Sequence, residues 1–270
     1  MKKISFIGAG SMAEAVIAGI VNQNVLESDQ IYVINKENRQ RLKELHELYG
    51  VNGCTDREKV VSGADIIVIA TKPKDVKNAL KEYAQLIAET QLIVSVVAGV
   101  STDSIAKSIG KKVPVIRTMP NTSAMIGYSA TAMCKGEYAT NSHVEQARRL
   151  FEAIGTVSIV EEEKMHVVTA VSGSGPAYVY YLVEAMLEAA KEEGLDEAVA
   201  KQLITQTIIG AGNMLKVRTE SPQVLRENVT SPNGTTAAGL KTLDAYRFKD
   251  AVIECVKSAT RRSEELGKEN

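Results

Sequence analysis

Ile4-Ser5-Phe6-Ile7-Gly8-Ala9-Gly10-Ser11-Met12-Ala13 reads as a short apolar strand, a tight glycine turn and the opening of a helix. Gly8 permits the turn, and Gly10 lets a pyrophosphate approach the backbone. Ala13 stands where a third glycine would be and still allows close helix–strand packing. The pyrophosphate would rest on the N-terminus of the helix that starts near Ser11. A lone run of this kind is a weak signal, and a purely structural glycine turn is the alternative. Here the context is right, with a strand before it, a helix after it and a second strand ending at Ile34. Gly8, Ala9, Gly10, Ser11 and Met12 are therefore candidate cofactor contacts.

Working outward, short β-rich runs alternate with amphipathic segments. The strand candidates are Ile4–Ile7, Ile31–Ile34, Ile66–Ala70, Leu92–Val97 and Val113–Thr118. Between them lie helical patterns at Met12–Val21, Glu37–Tyr49, Val76–Ile87 and Thr102–Ile109. This alternation predicts an α/β fold, a Rossmann-like doubly wound parallel sheet with helices on both faces. Ile66-Ile-Val-Ile-Ala70 has no polar residue, as a strand buried on both faces requires. Two weaker strands, Tyr128–Met133 and Thr156–Ile159, flank a helix around Val144–Ile154 and extend the sheet.

The character changes after the acidic turn Glu161-Glu-Glu-Lys164, read as a solvated connection. From Met165 onward the pattern is helical, so the chain divides into a dinucleotide-binding domain at 1–163 and an all-α domain at 164–270. In Glu197–Val217 the apolar residues Val199, Leu203, Ile204, Ile208, Ala211, Met214 and Leu215 cover more than one stripe, and a helix this apolar must be buried broadly. One small helical domain offers too little cover, which predicts that a second subunit supplies it. A helix at the centre of a monomeric bundle is the alternative.

The chain's 270 residues allow two ordinary domains. Its hydrophobic share of 44% and charged share of 24% are those of a soluble globular protein. A net charge of −1 without a basic block leaves no footprint for nucleic acid or an anionic membrane. A strand pattern follows directly on Lys2, leaving no secretory apolar region, and no run approaches spanning length. The three cysteines, Cys54, Cys134 and Cys255, fit neither a disulfide framework nor a metal-ligand spacing. These features place the protein in a reducing cytoplasm.

The end of the second strand bears on the cofactor. An NAD enzyme usually carries an acidic residue there for the ribose 2′-hydroxyl. This chain has Asn35-Lys36, with Arg39 one turn on. No negative charge repels a 2′-phosphate, two cations can approach it and Asn35 can donate to it, which favours NADPH with NADH as the lesser choice. The alternative is that Lys36 and Arg39 are merely exposed. Ala70-Thr71-Lys72-Pro73 follows the Ile66 strand and should line the ligand crevice, since ligands in this fold sit at carboxyl ends of strands. Ala98-Gly99 should border the nicotinamide. Met119-Pro-Asn-Thr122 is a candidate for holding the nicotinamide amide or the substrate, and Arg57 for reaching the adenosine end.

A second anion site is legible in Glu227-Asn-Val-Thr-Ser-Pro-Asn-Gly-Thr-Thr-Ala-Ala-Gly-Leu240. A helical pattern stops, Ser231–Gly234 forms a polar turn, and a new helix begins at Thr235. Thr235 and Thr236 at its N-terminus present free N–H groups and hydroxyls together, which suits a carboxylate. Ser172-Gly-Ser-Gly-Pro-Ala-Tyr178 precedes the long helix and reads equally as an anion-binding helix start or as a cap. The first three turns after Pro176 contain no Lys or His. An alcohol dehydrogenase needs a general base there. A cyclic iminium accepts hydride with less help, so positioning by a carboxylate clamp would supply much of the rate.

Together, Gly8-Ala-Gly10, Ala70-Thr-Lys-Pro73, Ser172-Gly-Ser-Gly-Pro-Ala177 and Asn228-Val-Thr-Ser-Pro-Asn-Gly-Thr-Thr236 resemble pyrroline-5-carboxylate reductases over essentially the whole chain, the last motif being the most specific. The resemblance implies reduction of 1-pyrroline-5-carboxylate to L-proline with NADPH or NADH, the final step of proline biosynthesis. It implies a Rossmann domain and a helical domain interlocked in a homodimer, with rings of dimers in some members. By the same resemblance, Thr236 donates its hydroxyl to the substrate, the Thr235 and Thr236 amides hold the carboxylate, Ser231 lines the pocket and Asn228 lies near the cofactor. Two departures from the family pattern stand out, one within the last motif and one at position 57. The last motif often has Gly where Asn233 stands and Ala where Thr235 stands, and Arg57 replaces a frequent Asn.

Three other readings compete. A hydroxyacid dehydrogenase of similar build lacks support, given the missing lysine and acidic residue. A non-catalytic NADP-binding redox sensor would have little use for a hydroxyl-rich carboxylate loop. A reductase of a related cyclic imine acid would share all these features.

Overall fold

Fully buried four-residue strands set the centre of the molecule. In the computed structural model, which describes residues 1–269, β1 (Ile4–Ile7), β4 (Ile66–Ile69) and β5 (Leu92–Ser95) are buried at every position. With β2 (Ile31–Ile34), β3 (Asn52–Cys54) and β6 (Val115–Met119) they form a parallel sheet in the order β3-β2-β1-β4-β5-β6. This is the doubly wound order of dinucleotide-binding folds. β7 (Ser129–Lys135) runs antiparallel beside β6, and β8 (Gly155–Ile159) runs parallel to β7.

Alternation along each strand feeds two cores. Ile4, Phe6, Ile66 and Val68 pack with α1 (Ser11–Asn22), α2 (Arg39–Tyr49) and α6 (Asn141–Glu152). Ile7, Ile67 and Ile69 pack on the other face with α3 (Arg57–Val61), α4 (Val76–Tyr83) and α5 (Thr102–Ile109). The register Ile7↔Ile34 and Ile7↔Ile69 brings the ends of β1, β2 and β4 level. Strand order reverses between β1 and β4, so the turns after them flank the crevice where ligands bind in such sheets.

Two elements lie outside the strands and helices expected from the pattern. β3 has three residues, Asn-Gly-Cys, at the sheet edge, where no apolar run is needed. α3 is little more than one turn, started by Asp56, whose carboxylate accepts from the amides of Glu58 and Lys59. α4 stops at Tyr83, four residues before the apolar pattern does, because Ile87 is buried in the same core from a following turn.

From Met165 the chain is helical. α7 (Met165–Val168) runs into a π turn over Thr169–Gly173, then α8 (Gly175–Glu192), α9 (Glu197–Val217), α10 (Pro222–Asn228), α11 (Thr235–Ala245) and α12 (Phe248–Glu269). By packing there are two compact units: Met1–Pro176 with the chain from Lys257 onward, and Ala177–Val256. The change of sequence character falls at residue 164, whereas residues 165–176 and the latter part of α12 pack within the first unit. The second unit buries little of itself. In α9 only Ala200 and Ile204 are buried, while Leu203 and Leu215 are 55% and 54% exposed. No helix among the described residues is long and apolar enough to cross a membrane.

Candidate active site

The turn after β1 is shaped by contact with the turn after β4. Gly8 has φ +110, and a Cβ there would lie 2.4 Å from the carbonyl oxygen of Ala70. Glycine is required both by conformation and by space. Gly10 is the N-cap of α1 and offers no side chain, so the first amides of the helix are left for something else to satisfy. A Cβ on Gly10 would meet no protein atom within 4 Å. Nothing in the protein demands glycine there, so the bare backbone is left open to a ligand. Beside Gly8, the Thr71 hydroxyl oxygen is buried without a hydrogen-bond partner, and such a group in a native fold calls for an explanation. A dinucleotide pyrophosphate accounts for all three: open helix amides, a bare Gly10 and an orphaned Thr71 hydroxyl. Ala9 is buried, whereas Ser11 is exposed at the helix start.

Arg41, which the sequence pattern does not single out, braces this turn. Its Nε donates to the Ala9 carbonyl at 3.1 Å. Its Nη2 pairs with Glu14 of α1 and its Nη1 lies 3.3 Å from Glu44. Tyr49 donates to the same Glu14 at 3.2 Å. The signal lay in pairing between helices, which spacing within one helix does not reveal.

Asn35 shapes the loop after β2. Its Oδ1 accepts from the amides of Glu37 and Asn38 at 3.1 and 3.0 Å, which leaves its Nδ2 as a donor. Arg39 is the first residue of α2, exposed, with no acidic residue in that first turn. A cation there opposes the helix dipole unless an anion is brought to it. Lys36 is exposed and its ammonium lies 3.4 Å from Glu82. Arg57 pairs with that same carboxylate at 2.5 Å and stacks over the Tyr83 ring. Lys72 and Pro73 are exposed after β4, with Lys72 as the cap of a short 3-10 turn.

Beyond β5, Ala98 is half-buried and Gly99 turns with φ +76 into α5. The start of α5 is held by Glu162, whose carboxylate accepts from the amide and hydroxyl of Thr102 at 2.8 and 2.5 Å. Arg117, 2% exposed, lies 3.4 Å from Glu162. His166 Nδ1 and Ser263 Oγ are hydrogen-bonded at 2.9 Å. Burial first, and the Arg117 cation second, lower the His166 pKa below its ordinary 6.5.

Asn121 has a structural task, and the reading of the run that begins at Ser172 is revised. Asn121 is 7% exposed and its amide is already engaged: Oδ1 accepts from Ser123, and Nδ2 donates to the Ser172 carbonyl at 3.0 Å. It ties the end of β6 to the π turn, and one Nδ2 hydrogen and one Oδ1 lone pair remain beyond these bonds. Ser172-Gly-Ser-Gly is neither a helix start nor a simple cap, because the chain is already helical there. The Ser174 amide reaches back to Thr169 at 2.8 Å. A Cβ on Gly173 would lie 2.7 Å from the Met119 methyl, so this glycine serves close packing.

In the second unit, Ser231–Gly234 closes a turn with a 3.0 Å backbone hydrogen bond. Asn233 takes φ +60, the region that favours glycine and that asparagine tolerates best among the rest. Gly234 is the N-cap of α11 and caps no amide with a side chain. The amides of Thr235 and Thr236 are therefore open, and both residues are exposed, as are Ser231 and Asn228 at the end of α10.

A doubly wound sheet with a bare glycine turn at its switch point, followed by a helical unit with an uncapped, hydroxyl-bearing helix start, defines a two-domain nicotinamide-dependent oxidoreductase. Residues 162–266 match the family model for pyrroline-5-carboxylate reductase dimerisation, and residues 3–99 match that for NADP oxidoreductase, coenzyme F420-dependent. The chain belongs to the pyrroline-5-carboxylate reductase family. It is 45% identical over 266 residues to pyrroline-5-carboxylate reductase 2 of Bacillus subtilis, covering 98% of this chain and 95% of that one. It is 37% identical to the Staphylococcus epidermidis reductase, covering 98% and 97%. Among solved structures, the Coxiella burnetii reductase superposes with a TM-score of 0.91 at 33% identity, with 98% of each chain covered. The Plasmodium falciparum pyrroline carboxylate reductase with NADP bound does so at 0.89 and 28%, also with 98% of each covered.

Proposed function

We propose that this protein reduces 1-pyrroline-5-carboxylate to L-proline with NADPH, completing proline biosynthesis in the cytoplasm. The observation that carries this reading is the α11 start: open Thr235 and Thr236 amides behind Gly234, with two hydroxyls beside them, in a chain whose first unit fits a dinucleotide. When bound, NADPH supplies hydride from C4 of its nicotinamide to C5 of the pyrroline ring. The Thr235 and Thr236 amides hold the substrate carboxylate, and the Ser231 hydroxyl borders it. The Thr236 hydroxyl faces the ring nitrogen, which arrives protonated or takes its proton from Thr236 or water. No strong base is needed, in keeping with a helix α8 that offers none, and positioning contributes most of the rate.

On the cofactor side, Gly8, Ala9, Gly10, Ser11 and Met12 hold the pyrophosphate and Thr71 donates to it. Asn35 and Arg39 receive the 2′-phosphate, with Lys36 able to leave its exposed pair with Glu82. Ala70, Lys72, Pro73 and Ala98 line the remaining length, and Asn228 is a further cofactor contact by its place in the family's last motif. The apolar residues left exposed on α8 and α9 support a homodimer, and rings of dimers are its next level. NADPH absorbance is followed with purified protein and 1-pyrroline-5-carboxylate, then with NADH. L-proline formed in step with NADPH loss is expected. NADPH binding without turnover would sink the reaction and favour a sensor or a related cyclic imine.

A further inference from the structure

Ser263 and Gly267 stand one turn apart on the same face of α12. Ser263 is 5% exposed although Arg262 and Glu264 beside it are exposed. It bonds His166 at 2.9 Å. A Cβ on Gly267 would lie 3.1 Å from Cε1 of His166 and 3.2 Å from the carbonyl oxygen of Gly99. Seen from the other side, a Cβ on Gly99 would meet the Gly267 nitrogen and the Leu266 carbonyl carbon at 3.5 Å. The α12 backbone therefore lies directly on the Gly99 turn, which holds a left-handed φ that strands and helices do not use. Glu162 fixes Thr102 immediately beyond it. Glycine inside a helix is costly compared with alanine, so propensity does not explain Gly267; the approach to Gly99 does.

We infer that the Ser263–Gly267 face of α12, with His166, is a positioning device that fixes the Ala98–Gly99 turn where the nicotinamide end of the cofactor rests. This extends the reading, made above, that Ala98 lines the cofactor. Gly267, Ser263 and His166 act through the turn and touch no reacting atom.

Gly267→Ala separates this role from a merely structural one. Alanine is the better helix former, so helix stability alone would be unchanged or improved. A positioning role predicts that NADPH binds roughly tenfold more weakly, in the range of an overpacking cost. Adenosine 2′,5′-bisphosphate, which lacks the nicotinamide riboside, should bind as before. Ser263→Ala, which adds no bulk and removes one hydrogen bond, should show the same split in smaller measure and serves if the first variant does not fold. Equal loss for both nucleotides, or no loss for either, would overturn the inference. Both affinities are read without substrate, so failure of the unaltered protein to reduce pyrroline-5-carboxylate would count against the proposed reaction alone.

Discussion

Single residues carry two sharp expectations. Asn35 uses its oxygen to shape the loop after β2 and keeps its amide nitrogen free. Asn35→Asp preserves the oxygen, and so the loop, but replaces the donor with a charge that would face the 2′-phosphate in the proposed mode of binding. The ratio of kcat/KM for NADPH over NADH should fall by roughly tenfold or more, as like-charge juxtaposition requires; an unchanged ratio refutes the assignment. Thr236→Ala removes the hydroxyl proposed to meet the charged substrate. Its kcat/KM for pyrroline-5-carboxylate should drop roughly 10- to 100-fold, while NADPH affinity measured by fluorescence titration stays put. Both positions were legible in the sequence because turn chemistry and helix starts are local. The structural bond of Asn121 was not legible, because its partner, Ser172, lies 51 residues away.

At the scale of elements, the strands and long helices were legible because alternation of strand and helix reflects burial on both sheet faces. The three-residue β3 and one-turn α3 were not, since an edge strand and a capped turn need no apolar period. The π turn was hidden for another reason: glycines and serines ahead of a helix usually mean a loop, and only the fit of Gly173 against Met119 makes them helical. The link between α7 and α12 has a consequence for acid stability. His166 in the folded protein titrates below 6.5, so the unfolded chain takes up its proton first as pH falls. Stability from this group is complete above about pH 7 and declines through 6.5 toward the lowered value. Thermal unfolding between pH 7.5 and 5.5 should show His166→Gln losing part of the slope seen in the unaltered protein. Identical slopes would remove His166 from that dependence.

For the whole molecule, the exposed apolar circumference of α9 is the ground for the proposed dimer. If α9 forms the proposed interface, Leu203→Glu places an unpaired carboxylate in it and should weaken dimerisation more than ~100-fold. Sedimentation velocity should then show monomer at concentrations where the unaltered protein is dimeric. Unaltered sedimentation would mean that the partner covers another face. The path of α12 bears on synthesis as well as on catalysis. The sheet-bearing unit takes its last strip of cover, around Ser263 and Gly267, from chain made only after the whole helical unit. N-terminal domains ordinarily fold as they emerge, but this one stays unfinished until α12 has been made. A fragment cut at Pro176 would leave His166 and the Gly99 turn bare, inviting aggregation and capture by chaperones, and would be a poor stand-in for the nucleotide site it contains.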